Sequence, residues 1–423
     1  MTKDQPLIRR APRRRARRWA VVACAALVIG TTAAAPPAGA APAPAPPAPP
    51  VAPSLPAPTG PYRVGEVPLH LVDRSRPDPW VTGKPSRELM VSVYYPATRT
   101  AGHPAAPYML AGAAAHFDAV TADGYLGLGV PPGRTDWAAT VTHAVQGAPV
   151  AARRGRLPVL IYSPGLGEPR TWDTTLVEDL ASRGYVVVTV DNTYESPEVQ
   201  FPDGSLATMV TPTDPGAFID KALAVRVADT RFVLDQLGLL DAGHDPDADG
   251  TPLPPGLAGA LDLSEVGMFG HSMGGTAAAL AMDTDPRIRA GIDMDGNLTE
   301  YDGTLMPVAE HGLKDPFLLL GKDGSTDTGP GWQAFRAHTP GWTRQLTLRG
   351  SEHASFTDAE ALVPQLGLPA ATRTGDIGTI APATAVRTTE AYVSAYFGHW
   401  LLGRPGRLLT GPSGRYPAME FVD

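Results

Sequence analysis

From about residue 157 onward, short apolar runs alternate with stretches of helical periodicity. Residues 157–162, 185–190, 266–269, 288–294, 316–320 and 344–348 read as strands, short and apolar enough to be buried on both faces. Residues 171–183, 217–240, 276–282 and 388–402 read as helices, the last closed by Gly403. Arg226, Asp229, Arg231 and Asp235 give the second of these its polar positions. Strand and helix in alternation predict an α/β fold, a mostly parallel central sheet with helices on both faces. Ahead of this region, residues 62–72 and 87–95 read as two strands, with Leu89, Val91, Val93 and Tyr95 on one parity. Asp78-Pro79 and Gly83-Lys84-Pro85 punctuate between them, so the pair is expected as an N-terminal antiparallel extension. Residues 97–156 mix scattered apolar residues with turn formers, as a segment that wraps the core or caps a site would. No repeat period is evident and no linker interrupts the alternation, so residues 62–423 are expected to form a single domain.

The first sixty residues follow a different pattern. Seven arginines between Arg9 and Arg18 precede an apolar run over 19–35, and Ala38-Gly39-Ala40 offers an A-x-A cleavage site. Residues 1–40 therefore read as a signal peptide, removed on export, and the protein as secreted. An uncleaved anchor fits less well, because the run is alanine-rich and broken by Gly30-Thr31-Thr32. No integral membrane span is expected after cleavage, and the mature protein is expected to be a monomer. Sec and twin-arginine export are both compatible with these arginines. Residues 41–61 are nearly all Ala and Pro and read as a disordered, extended tether.

Composition narrows the chemistry. Cys24, inside the apolar run, is the only cysteine, so the mature chain has no disulfide, cysteine nucleophile or cysteine metal site. With 43% hydrophobic residues the chain can rest on its core alone. Residues 1–40 carry eight basic residues and one acidic, so their removal takes the net charge from −8 to −15. Such a surface repels phosphate backbones, and nucleic-acid binding is not expected.

Gly270-His271-Ser272-Met273-Gly274-Gly275 lies between a predicted strand and a predicted helix. That context gives G-x-S-x-G its meaning: a sharp turn lifts the serine hydroxyl above the sheet, and the flanking glycines avoid backbone collisions. Serine needs a base, and the base needs an orienting acid. Asp295 and His353 also follow predicted strands, and Ser272, Asp295, His353 is the chain order of an α/β-hydrolase triad. Asp323, after the next strand, and Asp293 are alternative acids. His271 reads as a packed or hydrogen-bonded support, because the turn directs it away from the serine. His338 and His399 sit in unremarkable contexts. For a developing oxyanion, the donors expected are the backbone N–H groups of Met273 and of Leu166 in Pro164-Gly165-Leu166-Gly167. Asp245-Pro246-Asp247-Ala248-Asp249-Gly250 opens like a calcium loop, but its twelfth position is Gly256 rather than a bidentate glutamate, so it reads as an acidic surface loop. No metal site or cofactor is expected. Trp172, Trp332, Trp342 and Phe356 are candidates for apolar pocket walls or for core.

Five stretches together resemble the plasma-type (isoform II) platelet-activating-factor acetylhydrolase family of α/β-hydrolases. They are Arg87 to Pro96 (RELMVSVYYP), Ser163 to Gly167 (SPGLG), Gly270 to Gly275 (GHSMGG), Gly291 to Gly296 (GIDMDG) and Arg349 to His353 (RGSEH). The resemblance implies an α/β-hydrolase fold and a carboxylic ester hydrolase, with short-acyl phospholipids or lipid-like esters among its substrates. It places the acid one strand earlier than is usual, favouring Asp295 over Asp323, and it supports Leu166 and Met273 as oxyanion donors. Two features depart from the family pattern: some members carry a histidine where Pro164 stands, and the lipoprotein-binding helices have no match. Secreted polyester hydrolases and cutinase-like esterases share G-H-S-M-G-G, but usually place the acid later and often carry a disulfide. The expected function is that of a secreted serine esterase working through an acyl-enzyme on a small-molecule or lipid ester. A polyester hydrolase, or an inactive binding protein on a hydrolase scaffold, are the alternatives.

Overall fold

The computed structural model describes residues 49–151, 155–324 and 329–422. The expected signal peptide and the first part of the Ala/Pro segment, residues 41–48, lie outside the described residues.

The described residues form twelve strands: β1 Arg63–Asp73, β2 Arg87–Ala97, β3 Val145–Gln146, β4 Leu157–Ser163, β5 Val186–Asp191, β6 Glu198–Gln200, β7 Leu206–Thr208, β8 Leu261–His271, β9 Ile288–Met294, β10 Phe317–Lys322, β11 Thr343–Leu348 and β12 Met419–Val422. Ten of them make one sheet in the order β12-β11-β10-β9-β8-β4-β5-β2-β1-β3, and β6 and β7 form a separate hairpin. The six strands from β11 to β5 run parallel. As expected, β1 and β2 extend the sheet as an antiparallel pair, with Leu71 opposite Leu89 and Val67 opposite Val93. The C-terminal β12 was not evident from the sequence. Its four residues are too short for a periodicity signal, and pairing with β11 creates the strand.

Both faces of the sheet are covered, and for that reason the parallel strands carry apolar residues on both parities through their middles. On one face, Val159, Ile161, Val266 and Met268 pack with the long helix Pro215–Asp241 and the helix Met273–Thr284. On the other, Leu160, Tyr162, Phe269 and Ile292 pack with the helices Thr174–Ser182 and Pro382–Trp400. The long helix starts where local chemistry says it should. Asp214 caps it by accepting from Ala217 N–H, and Pro215 occupies the first turn, where its missing N–H costs nothing. Two of its four polar positions are not on a wet face: Arg226 and Asp229 are buried.

The segment read only as a wrap builds a small core of its own. Tyr108, Met109, Phe117, Leu128 and Trp137 cluster with Trp172, Leu362 and Val363 to make a cap. Trp172 is thus core rather than pocket wall, and Trp332 and Phe356 are likewise buried.

One boundary requires correction. The described part of the expected tether, residues 49–61, is bound to the domain. Leu55 is buried in the cap cluster, Val51 and Ser54 bridge to Thr135 and Val141, and Thr59 bonds Asp179. A proline-rich segment lacks N–H donors but keeps its carbonyls and its φ preference, so it can lie extended as a strap where a groove offers donors.

Candidate active site

Ser272 sits between the end of β8 and the helix Met273–Thr284 at φ 53° and ψ −124°. A non-glycine residue there carries backbone strain, held by the surroundings. Its N–H donates to the Met294 carbonyl (2.8 Å), which ties the turn to the end of β9. Side chains at the flanking glycines have no room. A Cβ on Gly270 would overlap the carbonyl of Gly274, one on Gly274 the carbonyl of Ser163, and one on Gly275 the carboxylate of Asp293. Gly274→Ala is therefore expected to cost at least about 3 kcal/mol of stability, read as a large fall in melting temperature.

His353 opens a 3-10 turn after β11, and its side chain is half exposed. Its Nδ1 lies 2.5 Å from Asp295 Oδ2. The other oxygen, Oδ1, accepts the Lys322 backbone N–H (2.9 Å), and Asp295 N–H donates to Leu320 O (2.8 Å). Asp295 is thus locked against the end of β10 with one oxygen aimed at the histidine. With Nδ1 engaged, Nε2 is the nitrogen left to serve a nucleophile.

The other candidate acids have different employment. Asp323 Oδ2 accepts the N–H of Gly350 (2.8 Å) and so braces the loop that carries His353. Asp293 is buried beneath the elbow, where it accepts the N–H of Gly296 (2.8 Å) and Trp332 Nε1–H (3.0 Å). Burial pushes its pKa up to about 8, which disfavours the ionised form an imidazolium would need beside it. His338 and His399 bond backbone carbonyls elsewhere.

Leu166 lies in the turn after β4, more than a third exposed. Met273 is the first residue of its helix, so its N–H has no partner within that helix. The two segments abut, since only glycine at 274 allows the approach to Ser163 and Pro164. Tyr125 of the cap lies over Gly167, 3.4 Å from where a Cβ would stand.

Two residues that shape this site, Arg226 and Glu168, carried no chemical role in the sequence reading. Arg226 is buried beneath the Leu166 turn, bonding Ser163 Oγ (3.1 Å), the Pro164 carbonyl and the Gly165 carbonyl (3.2 Å), with Glu195 as its counter-ion. An arginine flanked by Val225 and Val227 on the long helix was the available signal. Glu168 Oε2 accepts the Gly165 N–H (2.5 Å), and its Oε1 lies 2.8 Å from His271 Nδ1. His271 Nε2 faces the backbone carbonyl of His353 at 2.9 Å, with the two rings 4.4 Å apart. His271 therefore supports the site, as expected, and through it the turn carrying Leu166 is wired to the residue carrying the base.

Both ring nitrogens of His271 face acceptors, so both bonds require the doubly protonated ring. Burial opposes that charge, but the carboxylate of Glu168 outweighs it and the His271 pKa is raised. A raised folded pKa contributes stability that is fully present below about pH 6.5 and lost as pH climbs through the folded value. Melting temperatures of the parent and His271→Ala should accordingly differ most at acid pH and converge as pH rises.

Known proteins resemble this chain over most of its length. The model of the family "Platelet-activating factor acetylhydrolase, isoform II" matches residues 52–201. A protein of Arthroderma benhamiae named "Probable 1-alkyl-2-acetylglycerophosphocholine esterase" is 29% identical over 397 residues, covering 87% of this chain and 94% of that one. Both matches support placing the chain with the platelet-activating-factor acetylhydrolase isoform II family. The dog platelet-activating factor acetylhydrolase (Canis lupus familiaris) is 23% identical over 48% of each chain. Among solved structures, a ferulic acid esterase from Streptomyces cinnamoneus is 36% identical, with a TM-score of 0.70 over 88% of this chain and all of that one. The fold is thus that of an α/β-hydrolase, and the activity that these relatives support is carboxylic ester hydrolysis.

Proposed function

We propose that the protein is a secreted serine esterase in which Ser272 is the nucleophile, His353 the general base and Asp295 the orienting acid. Asp295 holds the proton on His353 Nδ1, so Nε2 is basic and takes the Ser272 proton as Oγ attacks the ester carbonyl. The backbone N–H groups of Met273 and Leu166 receive the oxyanion of the tetrahedral intermediate. Its collapse expels the alcohol, protonated by His353, and leaves an acyl-serine. Water, deprotonated by His353, then attacks the acyl carbonyl, and the acid leaves as Ser272 regains its proton. The observation that carries this reading is the 2.5 Å bond between His353 and Asp295 beside a serine at φ 53°. Labelling with a fluorophosphonate tests it. One adduct per chain, on Ser272, is the expected result; absence of label would instead favour an inactive binding protein on this scaffold.

Two substrate classes follow from different observations. The family match favours short-acyl glycerophospholipids or similar lipid esters, and the exposed Tyr125 and Leu166 beside the turn offer an apolar edge for them. The structural relative with 36% identity favours esters of hydroxycinnamic acids. Rates on an acetyl phospholipid and on methyl ferulate, measured on one preparation, separate the two.

A further inference from the structure

Of the two proposed oxyanion donors, the Met273 N–H is aimed by its place at the head of a helix. Leu166 has no such support. It stands in the turn Pro164-Gly165-Leu166-Gly167, with Gly167 at φ 75°. Gly165 has no Cβ to resist rotation of the peptide that follows it. Turning the Gly165–Leu166 peptide by about half a turn would leave the chain path almost unchanged and present a carbonyl oxygen where a donor is needed.

Arg226 holds that peptide. Its side chain leaves the helix Pro215–Asp241 and is buried. A guanidinium carries five N–H donors in a rigid fork, and here every one is used. Nη1 donates to Ser163 Oγ (3.1 Å) and to the Pro164 carbonyl. Nη2 donates to the Gly165 carbonyl (3.2 Å) and to Glu195 Oε1, and Nε donates to the same Glu195 oxygen (2.8 Å). In a trans peptide the N–H points opposite to the C=O, and the described residues contain no cis bond. The Pro164–Gly165 peptide is gripped at both edges, its carbonyl by Arg226 and its N–H by Glu168 Oε2 (2.5 Å). The next peptide is gripped at one edge only. The Gly165 carbonyl takes Arg226 Nη2 and, more loosely, the Glu168 N–H (3.3 Å). The Leu166 N–H of that peptide therefore points away from the guanidinium, and among the described residues no acceptor takes it. A donor left open on an exposed residue and fixed from behind has the preorganisation an oxyanion contact requires.

On the serine-esterase reading of Ser272, on which this inference rests, we propose that Arg226 is a positioning residue for ester hydrolysis: by holding the Gly165 carbonyl it aims the Leu166 N–H at the oxyanion and excludes the flipped peptide. Glu195 offsets the guanidinium charge, so the contribution is one of aim rather than of field. Lysine at this position would keep the charge beside Glu195. Its three donors radiate from one nitrogen, however, and cannot reach Ser163, both turn carbonyls and Glu195 together.

Inhibition of the parent and of Arg226→Lys by hexyl trifluoromethyl ketone tests the assignment. Ser272 Oγ adds to the ketone carbon, its proton passes to His353, and the ketone oxygen becomes an oxyanion facing the two N–H groups. The variant should bind this ketone about 10²-fold more weakly than the parent, the scale of one lost oxyanion donor. Its kcat for p-nitrophenyl acetate should fall by a similar factor, with KM within about threefold of the parent value. Hexyl methyl ketone, whose carbonyl adds serine far less readily, should bind both proteins alike. Loss of folded molecules lowers a measured kcat but leaves an inhibition constant unchanged, so the affinity separates aim from stability. Equal affinity of variant and parent for the fluorinated ketone would remove Arg226 from the mechanism and leave the serine site standing. A parent that binds the two ketones alike would overturn the serine site itself, and the role of Arg226 with it. A crystal of the parent with hexyl trifluoromethyl ketone answers without any variant. The ketone oxygen should lie within hydrogen-bond distance of Leu166 N, with the Gly165 carbonyl still on Arg226; a carbonyl turned away from Arg226 would refute the assignment.

Discussion

Ser272→Ala should lower kcat for p-nitrophenyl ester hydrolysis by about 10⁴- to 10⁶-fold with the protein still folded. The magnitude follows from what the substitution leaves behind. Without the hydroxyl no acyl-enzyme can form, and the remaining rate comes only from water attacking within the oxyanion site. The change itself is sterically mild. The strain at φ 53° belongs to the backbone, which alanine also has to adopt, and the N–H bond to Met294 is kept. A circular dichroism spectrum like that of the parent, together with lost turnover, is therefore the expected pair of results. Turnover within tenfold of the parent would remove Ser272 from the mechanism.

The second large effect concerns the acid. Asp295→Asn should cost about 10³- to 10⁴-fold in kcat, because an amide at that position no longer fixes the proton on His353 Nδ1 or balances an imidazolium. Asp323→Asn should cost less than about tenfold. Its carboxylate only accepts the Gly350 N–H, and the asparagine oxygen can accept the same bond. A steady-state comparison of the two variants across pH 5–9 is decisive, and the reverse ranking would move the acid to the end of β10.

Why some of this was legible and some not has a physical basis. A parallel sheet buried on both faces writes itself into the chain as repeated apolar runs, and five of its six strands could be placed to within two residues. The exception, β8, begins five residues before its apolar run because its first half pairs only at Leu261 and Asp262 before a register shift on β4. The elbow was legible because sterics at Gly270, Gly274 and Gly275 leave few alternatives to glycine. The choice between Asp295 and Asp323 was not settled by position, since both follow strands; it is a matter of which carboxylate has a free oxygen facing His353. Glu168 and Arg226 were hard to read as contributors because each meets backbone groups of the Leu166 turn together with a side chain far off in sequence, and such pairings leave no spacing signal. The cap resisted reading for a related reason: Leu55, Phe117, Trp137 and Val363 are scattered over three hundred residues and make sense only as a cluster.

The strap formed by residues 49–61 has a consequence for how the cap responds to heat. Its bonds reach Thr135 and Val141 in the cap, Asp179 and Ser182 on the helix Thr174–Ser182, and Gln365 next to the cap cluster. Cap and body are thereby stitched by a piece of chain whose Leu55 packs in the cap and whose Thr59 bonds the body, so they should melt as one cooperative unit. A chain cut at Tyr62 would lose the stitch and should melt in two steps, the cap first.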